Sequence, residues 1–238
     1  MKPQVILIIP AYNEARNILK VRGTIRTYNK NHQQKYDYIF INDGSTDSTE
    51  QILQEHHIPH IELRQNLGIG GAMQTGYKYA LRHGYDIAIQ FDGDGQHDIN
   101  YVKDIIQPII DQEADITIGS RFINKQLDNF KSSALRRIGI KTISNIIKLK
   151  TKHRIYDTTS GFRAVNCKVI KLFAADYPTE YPEPISTTTA LLKGYKIAEI
   201  PAKMHRRTEG KSSISKFKSI YYMINVGLSI ITLRRKHE

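Results

Sequence analysis

Short β-branched runs alternate with longer segments of helical period along the first half of the chain. Val5 to Ile9 is continuously apolar, as a strand buried on both faces must be, and Pro10 ends it because proline cannot donate to a ladder. A helix is expected from about Glu14, then a second strand over Tyr38–Ile41 that closes in the turn Asn42-Asp43-Gly44-Ser45. Asp47-Ser48-Thr49-Glu50 fits a capping box, with Asp47 satisfying an exposed amide and Glu50 reaching back, so a further helix starts there. His60–Leu63 is a weaker strand. The glycine-rich Leu67–Gly71 opens a helix over about Ala72–Arg82, and Ile87–Phe91 is the next strand, running into Asp92-Gly93-Asp94-Gly95-Gln96-His97. A helix over Ile99–Ile110 leads to a strand at Asp115–Ile118, followed by Gly119-Ser120-Arg121. Residues 122–163 are less regular, mixing helix-period apolar positions with basic ones, and Lys196–Met204 reads as a late strand.

This alternation predicts one α/β domain, a Rossmann-like, mostly parallel sheet with helices on both faces. At 238 residues, 40% hydrophobic and 24% charged, the chain is long enough to bury a full core. No internal repeat or linker divides it. The expected domain spans residues 1–215, and residues 216–238 form a separate basic amphipathic helix: Ile220 to Leu233 is too short to span a bilayer and runs into Arg234-Arg235-Lys236-His237. That segment suits a membrane surface or a partner, or else it docks on the protein's own core.

The formal charge of +12 favours anionic partners without choosing among them. Aromatic and basic residues are not interleaved densely enough for a base-stacking platform, so nucleic acid is not expected. The lone Cys167 excludes an internal disulfide framework and a thiolate metal site; it reads as a packing residue in a reducing cytoplasm. The N-terminus enters an apolar strand directly, without the basic and long hydrophobic segments of a secretory leader, so the cytoplasm is the expected compartment.

Ligands of open parallel sheets sit beyond the carboxyl ends of the strands, and polar clusters stand at three such ends: Pro10–Glu14, Asn42–Ser45 and Asp92–Asp94. Asp92 and Asp94, two apart leaving a strand, can project to one side. Two close carboxylates repel each other unless a hard divalent cation, Mg²⁺ or Mn²⁺, joins them to substrate phosphates. A polar turn would use the same residue types. Gly68-Ile69-Gly70-Gly71 does not complete a dinucleotide fingerprint, because its third glycine would fall on Met73.

The series Pro10-Ala11-Tyr12-Asn13-Glu14, Asn42-Asp43-Gly44-Ser45-Thr46-Asp47 and Asp92-Gly93-Asp94-Gly95-Gln96-His97 resembles family 2 of the inverting glycosyltransferases, with the GT-A fold. Gly119-Ser120-Arg121, Ser160-Gly161-Phe162-Arg163 and the R-x-x-G-x-S of Arg207 to Ser212 resemble its dolichyl/polyprenyl-phosphate sugar transferase branch. The resemblance runs from residue 3 to about 215. It implies a UDP- or GDP-sugar donor and a polyprenyl-phosphate or other envelope acceptor. Pro10, Tyr12, Glu14 and Asp43 would hold nucleobase and ribose. Asp92 would sit near ribose and metal, Asp94 would be the principal metal ligand, and Gln96 a further one; apart from the resemblance, His205 is a candidate to complete the metal shell from the late loop. Arg121 and Arg207 would face phosphates. Two positions depart from the pattern: Asn42 stands where an aspartate is usual, and Ser213 where a lysine is frequent. Asp157 and Glu183 are the two candidates for a base, which a hydroxyl acceptor needs and a phosphate acceptor does not. A sugar nucleotidyltransferase is the rival enzyme class, but its glycine-rich phosphate loop is missing after the first strand, where Pro10–Glu14 stands. The charge and the basic C-terminus place the expected enzyme on the inner face of a bacterial plasma membrane.

Overall fold

The computed structural model describes residues 3–123, 134–204 and 216–234. Seven strands form one sheet: β1 (Val5–Ala11), β2 (Asp37–Asn42), β3 (His60–Glu62), β4 (Ile87–Gln90), β5 (Ile116–Ser120), β6 (Arg163–Asn166) and β7 (Ile197–Pro201). Their order is β3-β2-β1-β4-β6-β5-β7. All neighbours are parallel except β6, which runs antiparallel between β4 and β5. The chain builds outward from β1 to β3 and then returns to lay β4 on the other side of β1. β1 and β4 therefore flank the point where the strand order reverses, the usual ligand position in such sheets.

The unbroken apolar run of β1 is explained by its two covered faces. Ile6 and Ile8 point into a core shared with α3 (Gly68–Arg82), α5 (Ala134–Thr151), α6 (Cys167–Ala175), α7 (Pro182–Leu192) and α8 (Lys216–Thr232). Val5, Leu7 and Ile9 point into the other, built with α1 (Ala15–Asn31), α2 (Thr49–Glu55) and α4 (Val102–Ile110). Period-2 alternation is hidden when both sides are apolar.

Several local expectations change. Helix α3 starts at Gly68 rather than Ala72, because its glycines serve close packing. A Cβ on Gly70 would lie 2.1 Å from the Pro178 carbonyl oxygen, and one on Gly76 would lie 2.1 Å from Ile8 Cγ2. The capping box is rearranged: Ser48 is the N-cap of α2, the Asp47 carboxylate accepts from Thr49 N–H at 2.9 Å and from Ala15 N–H at 3.3 Å, and Glu50 accepts from Gln54 instead of reaching back. Asp47 thus joins the starts of two helices. Cys167 is exposed in the first turn of α6, so it is no packing residue. Of the uses considered for it, α8 (Lys216–Thr232) docks on the protein's own core, where Val226 and Ile230 are fully buried, while Ile224, Leu228 and Ile231 lie on its exposed side. Among the described residues no helix is long and apolar enough to cross a membrane.

Candidate active site

The site is assembled from the loops that leave β1, β2 and β4. The first two are tied together by side chains. Asn13, in a left-handed conformation (φ 55°), accepts from Thr46 N–H at 2.8 Å and Asp47 N–H at 3.2 Å, and its own N–H donates to Ser45 Oγ at 3.0 Å. Glu14 precedes α1 and accepts from Asn17 Nδ2 at 2.6 Å. Tyr12 stands out from this frame, 47% exposed. Asp43 is buried and accepts from Leu67 N–H at 2.8 Å, where α3 begins; burial pushes its carboxyl up, opposed by that amide and the next. Pro10 does not end β1 as expected: it stands opposite Ile41 in the ladder, and the strand runs one residue further to Ala11, opposite Asn42.

The β4 loop presses on the end of β1. A Cβ on Gly93 would lie 2.8 Å from the Pro10 carbonyl oxygen, so only glycine lets the Asp92–Asp94 backbone come this close. Asp92 N–H donates to His97 Nδ1 at 2.9 Å, which leaves the ring proton on Nε2, 3.2 Å from Asp92 Oδ2. Burial pushes His97 down to about 3, so the ring is neutral at pH 7 and the contact is a hydrogen bond from Nε2–H rather than an ion pair. Stacking on Phe162 at 4.6 Å fixes the ring plane. Asp94 Oδ1 accepts from Gln96 N–H at 3.0 Å. A carboxylate offers roughly four lone-pair directions, so it can accept such a bond and still ligate a cation.

Asp92, Asp94 and Gln96 supply oxygen donors only. That set suits Mg²⁺ or Mn²⁺, which takes one or two protein carboxylates and completes its shell with water and substrate phosphates. Among the described residues no three His, Cys, Asp or Glu side chains converge as a metal cluster. His205 and Arg207 lie outside the described residues; the last residue before them, Met204, forms a backbone bridge with His97.

Strand β6 brings the Ser160-Gly161-Phe162-Arg163 segment against the same loop. A Cβ on Gly161 would lie 2.9 Å from Gln90 Nε2 and 3.2 Å from Asp92 Oδ1. Arg163 is fully buried; its guanidinium donates to the Ser160 and Glu183 carbonyls and to Ser186 Oγ and Thr187 Oγ1, holding the first turn of α7. Glu183, in that turn, accepts from Gln90 Nε2 at 3.3 Å. Burial raises its carboxyl above the usual range, nearby Asp92 adds to this, and Arg163 opposes it.

Asp157 is different. It is fully buried, and both its oxygens are held by Arg121: Nε to Oδ2 at 2.8 Å, Nη2 to Oδ1 at 2.7 Å, with Arg121 N–H also on Oδ2 at 3.0 Å. Asp157, one of the two candidates for a base, is therefore the acid half of a buried ion pair, and Arg121, expected at a phosphate, is 8% exposed. Sequence reasoning gave no role to His97, Gln90, Gly161 or Arg163. A histidine five residues after Asp92 was a visible signal; the strand that carries Arg163 was not, and the partners of Arg163 in α7 come from a distant segment.

Comparison with known proteins agrees with this geometry. Residues 6–173 match the family model described as Glycosyl transferase family 2. The chain is 31% identical to a UDP-N-acetylglucosamine–dolichyl-phosphate N-acetylglucosaminyltransferase of Methanococcus voltae, over 92% of this chain and 94% of that one. It is 26% identical to a polyprenol monophosphomannose synthase of Mycolicibacterium smegmatis, over 88% and 80%. Its fold is shared with the glucosyl-3-phosphoglycerate synthase of Mycobacterium tuberculosis, solved with Mn²⁺, UDP and glucosyl-3-phosphoglycerate: TM-score 0.62, 15% identity, 97% of this chain and 79% of that one. A doubly wound sheet, an acidic strand-end loop at its switch point and a match over most of the length converge: the chain belongs to glycosyltransferase family 2, GT-A in fold, and its relatives include dolichyl- and polyprenyl-phosphate sugar transferases.

Proposed function

We propose that this glycosyltransferase moves a sugar, with inversion, from a UDP- or GDP-sugar to a polyprenyl-phosphate or other lipid-linked acceptor at the cytoplasmic face of a membrane. The observation that carries the reading is the close approach of Gly93 to the end of β1, which sets Asp92 and Asp94 beside the Pro10–Glu14 and Asp43 loops. The near full-length similarity to a dolichyl-phosphate transferase supports the acceptor class.

In this reading the exposed Tyr12 ring offers a stacking face to the nucleobase, and Pro10, Glu14 and Asp43 line its pocket with the ribose. His97 holds the Asp92 carboxylate in one orientation through a neutral N–H. Asp92, Asp94 and Gln96 would hold Mg²⁺ or Mn²⁺, which offsets charge on the leaving nucleoside diphosphate. Asp157 serves by holding Arg121. The late segment with Arg207 and His205 starts from Met204, next to His97, which supports a role for it at the phosphates or the metal. A phosphate acceptor is already anionic and needs no base.

A second reading, transfer to a sugar hydroxyl, is favoured by one observation: Glu183 is a carboxylate of raised pKa near Asp92, as a general base requires.

The test is nucleoside diphosphate release from UDP- and GDP-sugars, with and without Mn²⁺, using a short-chain polyprenyl phosphate as acceptor. Asp94→Ala is expected to lose at least about 100-fold in turnover, the scale of removing one preorganised stabiliser of transition-state charge. Undiminished turnover or metal-stimulated binding in that variant sinks the clamp, and release of pyrophosphate instead would identify a nucleotidyltransferase.

A further inference from the structure

Helices α5 and α8 lie side by side with their ends matched. A Cβ on Gly139 would meet Met223 Sδ at 2.5 Å, one on Gly227 would meet Ile146 Cδ1 at 3.4 Å, and Lys150 Nζ donates to the Ile231 carbonyl. Residue numbers rise together at all three contacts, so the helices run parallel. Below them, Ile143 and Ile147 of α5 and Val226 and Ile230 of α8 enter the core.

The opposite side is exposed. Ile138, Ile224, Leu228 and Ile231 are each more than half exposed, and Leu149 is 86% exposed. With 3.6 residues per turn, Ile138 and Leu149 lie on the side of α5 facing away from Ile143 and Ile147, and Ile224, Leu228 and Ile231 lie on the side of α8 facing away from Val226 and Ile230. Because the helices are parallel neighbours on one core, these five side chains share a single outward face. Exposed basic residues flank it: Arg137, Lys141, Lys148, Lys152 and Arg234. The sequence has no Asp or Glu from 129 to 156, nor from 210 to 237.

We infer that α5 and α8 together form a pad that docks on an anionic lipid bilayer, the five aliphatic side chains entering the headgroup boundary and the basic rim meeting lipid phosphates. An apolar centre with a cationic rim is the pattern of an interfacial helix, here split over two. A second copy of the chain is disfavoured as occupant, since two such faces would set like charge against like. The role given to α5 goes beyond a C-terminal anchor, because this helix lies inside the chain, ahead of β6 and α7. Helix α7, whose first turn carries Glu183, packs against both members of the pad. The inference rests on the acceptor being membrane-borne.

The experiment is vesicle co-sedimentation of the full chain with phosphatidylcholine alone and with phosphatidylglycerol added, beside light scattering and turnover on a water-soluble short-chain polyprenyl phosphate. Wild type is expected to bind the anionic vesicles. Leu149→Glu on α5 and Leu228→Glu on α8, both at exposed positions, should each weaken binding at least about tenfold while keeping the wild-type melting temperature and soluble turnover. Lys141→Gln with Lys148→Gln should weaken it on the order of fivefold per lysine and flatten its salt dependence. Wild-type vesicle binding by Leu149→Glu overturns the pad, and a wild-type dimer broken by Leu149→Glu without change in vesicle binding assigns the face to self-association and also overturns it. Vesicle binding lost in these variants by an enzyme with no turnover on any polyprenyl phosphate would uphold the pad and defeat the acceptor assignment instead.

Discussion

Replacing Asp157 separates two roles that the sequence left equal. Its carboxylate is fully buried and receives three hydrogen bonds from one residue, two of them a charged fork from the Arg121 guanidinium. Asp157→Asn keeps the shape, removes the negative charge and turns an N–H toward Arg121, leaving a guanidinium 8% exposed without its counter-ion. Breaking a buried pair from one side costs about 3–5 kcal/mol. For a domain of this size each kcal/mol moves the melting temperature roughly 2–4 °C, so a fall of roughly 6–20 °C is expected by calorimetry or circular dichroism. Asp157→Leu combined with Arg121→Met removes both charges and should recover much of that loss, because a buried pair replaced by apolar groups of similar volume is often neutral. The double-mutant cycle should therefore show a coupling of several kcal/mol. A different pattern would refute the reasoning: Asp157→Asn melting like wild type while turnover falls by orders of magnitude would return Asp157 to the role of base.

Glu183 gives a prediction with a sign in pH. Its folded pKa is raised by burial above 4.5, so the fold favours the protonated form, and stability falls as pH rises from the unfolded value through the folded one. Glu183→Gln should therefore gain melting temperature over wild type at pH 8 and little at pH 4. In turnover, a base at Glu183 predicts an acidic limb set by this raised pKa that the glutamine variant abolishes with a hydroxyl acceptor; a phosphate acceptor predicts a variant that keeps its activity. Gly76→Ala would help an isolated helix by about 1 kcal/mol, yet its methyl would lie 2.1 Å from Ile8 Cγ2, so a net loss of about 1–3 kcal/mol is expected from overpacking, read as an earlier urea midpoint at unchanged slope; a stabilised variant would show that α3 can move off β1.

The strand ends and their polar clusters were legible in the sequence, because a strand buried on both faces is an unbroken apolar run and the residues after it must leave the sheet. Val5–Ile9 before Pro10 and Ile87–Phe91 before Asp92 follow from that rule alone. Strand β6 was not legible. Four residues, Arg163–Asn166, carry no period, and a buried arginine on a strand looks like a surface residue until Ser160, Ser186, Thr187 and the Glu183 carbonyl are seen around it. The roles of Asp157 and Glu183 were equally hidden: both are acids in polar stretches, and what distinguishes them is that Arg121, 36 residues away, folds onto one, while Gln90, 93 residues away, leaves the other beside Asp92. The sequence by itself determined where acidic and polar side chains leave the strand ends, since that depends on chemical type and on where an apolar run stops. Only the tertiary structure decided which carboxylate is neutralised by a partner and which helix faces remain uncovered, because each of these depends on contacts between segments that local pattern does not relate.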